Sequence, residues 1–181
     1  MPGHRAGPTL RRMDNDRIHP AARVGHVHLR VADLDRALAF YGDALGLGVT
    51  ADGRAVGLDA AFLAAGDYHH HVGLNTWDSA GATPPPPGHT GLYHVAFVYP
   101  DRRELARAVR RLLDHGHPID HATDHGATVS VYLCDPDGNG VELYYDRPRA
   151  DWFNADGRPV LKSERFDYVE LLATDNQGDS T

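Results

Sequence analysis

The chain contains one pattern twice. A strand-like run followed by a helix-like run occurs as RVGHVHLRVADLDRALAFYGDALGLG from Arg23 and again as LYHVAFVYPDRRELARAVRRLLDHG from Leu92. The two copies superimpose at an offset of 68 residues, the separation of His26 from His94. The other aligned pairs are Asp33 with Asp101, Ala37 with Leu105, Tyr41 with Val109, Leu45 with Leu113 and Gly48 with Gly116. This self-similarity indicates an internal duplication, so the fold must be one unit used twice.

Each repeat predicts a strand, a helix and three further strands. Alternating β-branched residues open the repeat, and apolar residues at helical spacing follow, with Asp33 and Asp101 at the N-cap positions and Glu104 completing a capping pair with Asp101. Gly and Asp turns then separate short extended runs. These runs lie at about 47–50, 60–65 and 70–76, and at about 119–123, 128–134 and 140–145. The pattern predicts an α+β fold of two tandem βαβββ modules.

The rest of the chain divides around these two modules. TPPPPG lies between the repeats and is typical of a stiff connector. The pattern dissolves after Asp146, where we expect an appendage that serves as a lid or a dimer arm. The predicted divisions are a flexible tail at 1–22, module one at 23–78, a Pro-rich linker at 79–91, module two at 92–148 and a C-terminal extension at 149–181.

The composition restricts which partners and which location are expected for the protein. The 181 residues carry a formal net charge of −7, and dispersed Lys and Arg offer no basic face for nucleic acid or anionic lipid. No apolar run approaches the ~20 residues of a membrane span, and the first twenty residues lack the apolar stretch of a signal peptide. The single Cys134 has no partner for an internal disulfide, so a reducing, cytoplasmic location is expected.

Thirteen histidines make the placement of imidazoles informative. Because the first strands of two duplicated modules can lie symmetrically about one cleft, His26 and His94 are candidates to bind one metal ion. A single strand histidine is more often a core residue than a ligand, but repetition at the duplication offset favours the ligand interpretation here. His28 shares a strand face with His26 and is the alternative ligand, although only His26 matches His94.

A third ligand is expected from Glu142, an acid between Val141 and Leu143 in an otherwise apolar strand. Two histidines and one carboxylate leave coordination positions open, as in non-haem Fe(II) oxygenases. A second metal hypothesis concerns DPDGNG, which with Asp146 resembles a calcium loop. Its flanks are strand-like, so the sequence favours a turn at this position.

With these residues established, the chain resembles the vicinal oxygen chelate superfamily, which includes extradiol ring-cleaving dioxygenases, glyoxalase I and antibiotic-resistance proteins. The resemblance runs from about Arg23 to Pro148, on the motifs GHVHLRVADLDRALAFYGDALGL, LYHVAFVYPDRREL and YLCDPDGNGVELYYDRP. Within it, FLAAGDYHHHVGLNTW and TDHGATVSVYLCDPDGNGVELY resemble the small catechol 2,3-dioxygenase-like members. The resemblance implies two modules that form a cupped, incomplete mixed β-barrel around a metal cleft.

The resemblance also implies a site and a reaction. It implies Fe(II), with Mn(II) as the alternative, and a small catechol-type substrate that reacts with dioxygen. Exposed edges of paired modules lead us to expect a homodimer. The implied metal ligands are His26, His94 and Glu142, and the implied acid–base groups are His70, His125 and Tyr132.

Two other functions fit the same superfamily. A glyoxalase-type isomerase or thiol transferase would use Zn, Ni or Mn, and glyoxalase I has a fourth protein ligand, an acid on the last strand of module one. The stretch from Val72 to Trp77 contains no carboxylate, and the 68-residue offset makes Leu74 the partner of Glu142. The remaining alternative is a resistance protein that sequesters a ligand without metal.

Overall fold

The computed structural model describes residues 17–175, and both predicted modules lie within that range. The predicted flexible tail falls mostly on residues 1–16, which lie outside the described residues, as do residues 176–181. In module one the strands are β1 (Val27–Arg30), β2 (Gly48–Asp52), β3 (Ala60–Ala64) and β4 (Val72–Asn75). Helix α1 (Leu34–Leu38) continues directly into a π-helical turn (Ala39–Ala44), and a short 3-10 turn (Gly53–Val56) follows β2.

Module two repeats this order with a longer helix. Its elements are β5 (Val95–Tyr99), α2 (Arg102–Asp114), β6 (His121–Asp124), β7 (Thr128–Cys134) and β8 (Gly140–Asp146). The C-terminal extension adds a 3-10 turn (Arg149–Asp151), β9 (Glu164–Arg165) and α3 (Val169–Asp175). None of the helices in residues 17–175 is both long and apolar enough to cross a membrane.

The two modules have the same sheet topology. The strand orders are β1-β4-β3-β2 and β5-β8-β7-β6-β9, and in each sheet the first strand of the module pairs in parallel with the last while the other pairs are antiparallel. Neither sheet closes on itself. The predicted α+β fold of two βαβββ modules that form an incomplete mixed barrel is confirmed.

Both predicted helix caps are present. Asp33 Oδ1 accepts a hydrogen bond from the Arg36 amide at 2.9 Å, and Asp101 Oδ1 accepts one from the Glu104 amide at 2.9 Å. These bonds satisfy amides that have no partner inside the helix. Each helix buries the apolar face that the periodicity predicted, and the fully buried side chains include Phe40, Tyr41, Leu105, Val109 and Leu112.

The strand register corrects one alignment made from the sequence. His28 of β1 lies opposite Gly73, and Ala96, which is 68 residues further on, lies opposite Glu142. The structural counterpart of Glu142 is therefore Gly73, and the assignment of Leu74 was wrong by one residue. Leu74 is fully buried in the core. Neighbouring residues of a strand point to opposite faces of a sheet. A module-one acid equivalent to Glu142 would therefore have to lie at position 73 and not at position 74.

A buried hydrogen bond joins the two modules. Tyr41, next to α1, donates from Oη to Oδ2 of Asp135 at 2.9 Å, and both side chains are buried. Burial, and then the charge of Asp135, raise the pKa of the Tyr41 hydroxyl. Nearby, Arg111 of α2 donates to the main-chain oxygens of Ala44 and Leu45. Helix α1 of module one is thus tied to module two at its C-terminal end.

Asp135 also shows how the DPDGNG segment folds. Its carboxylate accepts hydrogen bonds from the Asp137 amide, from the Asn139 amide and side chain, and from Tyr41. These four hydrogen bonds occupy the two carboxylate oxygens of Asp135, which a calcium ion would need as ligands. The segment therefore has the hydrogen bonding of a turn, as the sequence favoured over a calcium loop.

The described part of the C-terminal extension packs on module two of its own chain. Strand β9 pairs with β6, and Leu171 of α3 is fully buried beside α2. Arg102 and Arg110 of α2 donate to the main-chain oxygens of Glu170 and Leu172. The extension therefore adds both a strand and a helix to this module.

We predict that Tyr41→Phe destabilises the fold by about 1.5–3 kcal/mol, the range for a lost hydrogen bond to a charged group. Urea unfolding measures the change. Val56→Ala is the control, because Val56 is 84% exposed on the short 3-10 turn after β2 and its substitution should stay within about 0.5 kcal/mol of the parent. Equal effects of the two substitutions would show that the bond to Asp135 contributes nothing to the junction.

Candidate metal centre

The parallel pairing of β5 with β8 brings two of the three predicted ligands together. His94 immediately precedes β5, Glu142 lies in β8, and His94 Nε2 is 2.9 Å from Glu142 Oε2. A Cβ at Gly140 would collide with the main-chain oxygen of Tyr93, so the glycine permits the close approach of these two segments. Val141 and Leu143 point into the core, which turns Glu142 to the opposite face of the sheet.

The spacing of this pair fits a metal site. Imidazole and carboxylate donors bind transition metals at about 2.1 Å, so two neighbouring donors at a right angle lie about 3 Å apart. The separation of 2.9 Å between Nε2 and Oε2 matches that value. Both side chains are partly buried, with 29% of His94 and 12% of Glu142 exposed. Imidazole and carboxylate are also a donor set that suits iron.

The second oxygen of Glu142 belongs to a chain of hydrogen bonds. Tyr132 donates from Oη to Glu142 Oε1 at 2.9 Å, and His125 Nε2 lies 2.8 Å from the same Oη. Partial burial, and then the hydrogen bond to Glu142, raise the pKa of Tyr132 to about 12. Tyr132 is therefore neutral at ordinary pH. The structure brings four predicted residues into one connected group, which we call the module-two cluster: His94, Glu142, Tyr132 and His125.

One neighbour of this cluster was not predicted. His121 lies directly opposite Tyr132 in the pairing of β6 with β7, and the two rings stack at 4.6 Å with an interplanar angle of 13°. The same rings, with His94 and Tyr93, line a cavity of about 190 Å³. The sequence signal was a histidine within the strand predicted at about 119–123, but its partner depends on strand register, which single-sequence patterns do not provide.

The other two predicted residues meet in module one. His26 and His70 lie with ring centroids 4.4 Å apart, and we call this pair the module-one cluster. Burial, and then the neighbouring His26, lower the pKa of the His70 imidazole. His28, the alternative ligand, stacks over Gly73, where a Cβ would come within 3.0 Å of its ring. The ring of His28 thus fills the space that a side chain at position 73 would need.

The two clusters are separate in the single chain. Within residues 17–175, no three His, Cys, Asp or Glu side chains are placed to hold one metal ion. His26 and His70 contact each other, but in the described part of the chain no hydrogen bond, ion pair or ring contact connects them to His94 or Glu142. His26 is exposed to solvent. The predicted ligand set is therefore divided between two sheets, two ligands on one and one on the other.

Comparison with known proteins identifies the family. A model described as the Glyoxalase/Bleomycin resistance protein/Dioxygenase superfamily matches residues 23–143. The chain belongs to this superfamily. The matched range includes all six residues of the two clusters and ends before the C-terminal extension.

Individual relatives are dioxygenases by name. Catechol-2,3-dioxygenase of Bacillus subtilis (strain 168) is 35% identical over 166 residues, which are 86% of this chain and 53% of the relative. Biphenyl-2,3-diol 1,2-dioxygenase 3 of Rhodococcus globerulus is 34% identical over 124 residues, which are 68% of this chain and 63% of the relative. This superfamily member thus spans a little over half of one curated relative and under two thirds of the other.

A solved structure supports the fold. A glyoxalase/dioxygenase from Nostoc punctiforme superimposes with a TM-score of 0.60 at 27% identity, over 74% of this chain and 99% of that one. The alignment spans nearly all of the Nostoc chain but only three quarters of this superfamily member.

We predict that Tyr132 of the metal-free protein ionises near pH 12, above the ordinary value of 10.0, because of its burial and its bond to Glu142. The folded chain then holds this proton more tightly than the unfolded chain, so the associated stability is present below pH 10 and is lost as pH rises toward 12. The tyrosinate absorbance of the parent minus that of Tyr132→Phe measures the titration.

Glu142→Gln provides the control for this titration, since it removes the negative acceptor and keeps the shape. It should lower the pKa of Tyr132 only in part, because burial is the larger cause. A Tyr132 that ionises near pH 10 in the parent would contradict the hydrogen bond to Glu142.

Proposed function

We propose that the protein is an Fe(II)-dependent extradiol dioxygenase that cleaves the ring of a catechol-type substrate with dioxygen. The observation that carries the proposal is the Glu142 carboxylate, which contacts His94 Nε2 with one oxygen and Tyr132 Oη with the other. A ligand pair linked to a proton-carrying phenol suits a reaction that needs both metal and acid–base groups. The names of the two curated relatives agree with this chemistry.

In this proposal His94, Glu142 and His26 hold the metal, which is Fe(II) with Mn(II) as the alternative. The bound metal supplies the electron transfer between an aromatic diol and dioxygen that organic side chains do not provide. Three protein ligands leave positions for substrate oxygens. The cavity of about 190 Å³ beside His94 is large enough for a single aromatic ring, since a cavity of about 150 Å³ holds benzene.

The acid–base groups act at defined atoms. Tyr132 keeps its proton at neutral pH, because its pKa is raised, and can donate it from Oη to a substrate oxygen beside Glu142. His125 exchanges a proton with that hydroxyl through Nε2. His70 has a lowered pKa, so its neutral imidazole can accept a proton from an incoming diol. His121 stacks on Tyr132 and forms a wall of the cavity.

A homodimer would complete the site. If module one of one copy faces module two of the other, His26 and His70 reach the module-two cluster, and a two-fold axis generates two identical sites. Large apolar side chains are exposed in both modules: Trp77 at 55% in module one, and Tyr93 at 87% and Val98 at 58% in module two. Exposed apolar side chains of this size are typical of surfaces that associate. We therefore propose that each metal site is shared between two copies.

A glyoxalase-type isomerase is the weaker alternative, because this chain has no side chain at the position of the fourth protein ligand. Gly73 occupies the position that corresponds to Glu142, and the His28 ring covers it. With no side chain at that position, three protein ligands remain, which favours ring cleavage over isomerisation.

Anaerobic reconstitution with Fe(II) should give one metal ion per chain. Addition of catechol and oxygen should then yield a ring-opened product with matching oxygen uptake. His94→Ala should lose the metal, whereas His115→Ala should retain it, because His115 is exposed and bonds only its own helix. Iron that binds stoichiometrically without oxygen uptake would contradict the dioxygenase proposal and leave a different metal-dependent reaction.

Subunit mixing tests the shared site. His26→Ala and Glu142→Ala should each lose metal binding, but an equimolar exchange of the two should restore about a quarter of the sites, because half of the dimers are mixed and each mixed dimer has one intact site. Metal content per chain reports the recovery independently of activity. As a control, subunit exchange between His26→Ala and His26→Asn should restore no metal binding, because neither chain has the His26 ligand. Absence of recovery in proven mixed dimers would place all three ligands in one chain.

The interface has its own test. Val98→Asp should convert the dimer to a monomer in light scattering, since it places a charge on the exposed face of β5. Val56→Asp is the matched control, because Val56 is 84% exposed on the short 3-10 turn after β2. A wild-type monomer that binds metal would contradict the proposed dimer.

A further inference from the structure

The imidazole of His125 is held by a part of the chain that lies outside the family match. Its Nδ1 is 3.0 Å from the main-chain oxygen of Lys162, 19 residues beyond the end of the matched range at residue 143. Its Nε2 is 2.8 Å from Tyr132 Oη. The ring therefore links the C-terminal extension to the module-two cluster.

Several contacts fix the position of that carbonyl. Asp124 and Glu164 pair in the register of β6 with β9, and the Phe166 amide donates to the Ala122 oxygen at 3.0 Å. The Lys162 ammonium lies 2.8 Å from Glu164 and 3.7 Å from Asp124. Main-chain pairing and charge thus hold the extension along the strand that precedes His125.

The turn next to His125 is shaped to receive the extension. Gly126 has a φ of +82°, which disfavours any residue with a side chain, and a Cβ there would lie 2.6 Å from Val160 Cγ1. The extension packs directly on the backbone of this turn. A glycine is required both for the turn and for the contact.

The partners of His125 determine where its protons lie. A carbonyl oxygen has no proton to donate, so the contact with Lys162 is a hydrogen bond only when Nδ1 carries a hydrogen. The neutral ring then has its lone pair on Nε2, toward Tyr132. The single hydroxyl hydrogen of Tyr132 therefore has two acceptors, Nε2 of His125 and Oε1 of Glu142, and is donated to one of them at a time. In solution an unconstrained neutral imidazole exchanges its proton between the two nitrogens, so a fixed carbonyl selects one form.

We propose that the C-terminal extension is a positioning element of the active site: the Lys162 carbonyl holds His125 in its Nδ1-protonated form and aims Nε2 at the Tyr132 hydroxyl. The role assigned to His125 rests on the proposed function, whereas the tautomer does not. Lys162 and Val160 act through His125 and touch no substrate. The extension thereby couples the fold outside the two modules to proton transfer at Tyr132.

Nitrogen-15 NMR of the full-length chain, metal-free and loaded with diamagnetic Zn(II), reads the tautomer directly. Comparison with His125→Gln assigns the signal among the thirteen histidines. We expect the neutral ring of the parent to carry its hydrogen on Nδ1. Gly126→Ala should displace Val160 and mix the two tautomers. Gly126→Ala/Val160→Ala should recover the parent spectrum, because it removes the collision and retains the strain of the turn.

Kinetics distinguish positioning from general stability. Gly126→Ala should lower kcat about tenfold, a part of the 10²–10⁴-fold that acid–base groups contribute, with KM nearly unchanged. The double substitution should recover most of kcat. In a chain that already carries His125→Gln, the further substitution Gly126→Ala should lower kcat little more, because the extension acts through the His125 ring. Leu161→Ala is the matched control, because Leu161 is 95% exposed beside the same carbonyl.

Each outcome decides the proposal. The proposal would be overturned if the neutral ring of the parent carried its hydrogen on Nε2. It would also be overturned if the combined variant Gly126→Ala/His125→Gln lost kcat by the product of the two single losses. Failure of Val160→Ala to rescue Gly126→Ala would also overturn it, because strain in the turn would then explain the loss. A parent chain with the expected tautomer that cleaves no diol would retain the positioning role and reject the dioxygenase function.

Discussion

The parallel pairing of the first and last strands decides which side chains can meet in each module. In module two it places Glu142 beside the strand that follows His94, so that imidazole and carboxylate are 2.9 Å apart. In module one the same pairing places Gly73 opposite His28. A duplicated architecture has therefore become asymmetric, with a carboxylate in one module and a covered glycine in the other. That asymmetry supports three protein ligands rather than four.

Much of this arrangement could be predicted from the sequence because repetition reports on three-dimensional equivalence. The offset between His26 and His94 indicated two matched strands, and the cap residues Asp33 and Asp101 located the helices. Glu142 could be predicted because an acid between two core residues must face away from the core. Tyr132 donates to Glu142, and His125 Nε2 lies 2.8 Å from the Tyr132 hydroxyl, while the acid–base roles that the family resemblance implies for them stay predictions.

The remaining features depend on strand register and on contacts distant in the chain. The sequence offset assigned Leu74 as the counterpart of Glu142, but the modules differ by one residue between their first and last strands, so Gly73 holds that position. His121 stacks on Tyr132 only because β6 and β7 pair in one register. The Lys162 carbonyl has no side-chain signature at all. Local periodicity contains none of this information.

The division of the ligands between two sheets has a physical consequence. A metal bound by His94 and Glu142 alone would keep only two protein ligands, and His26 would remain exposed on the other module. Anomalous diffraction at the iron edge, on crystals grown with Fe(II), would locate the metal. We expect one ion bound by His94 and Glu142 of one copy and His26 of a second copy. An ion bound elsewhere, or by three ligands of a single chain, would contradict the shared site.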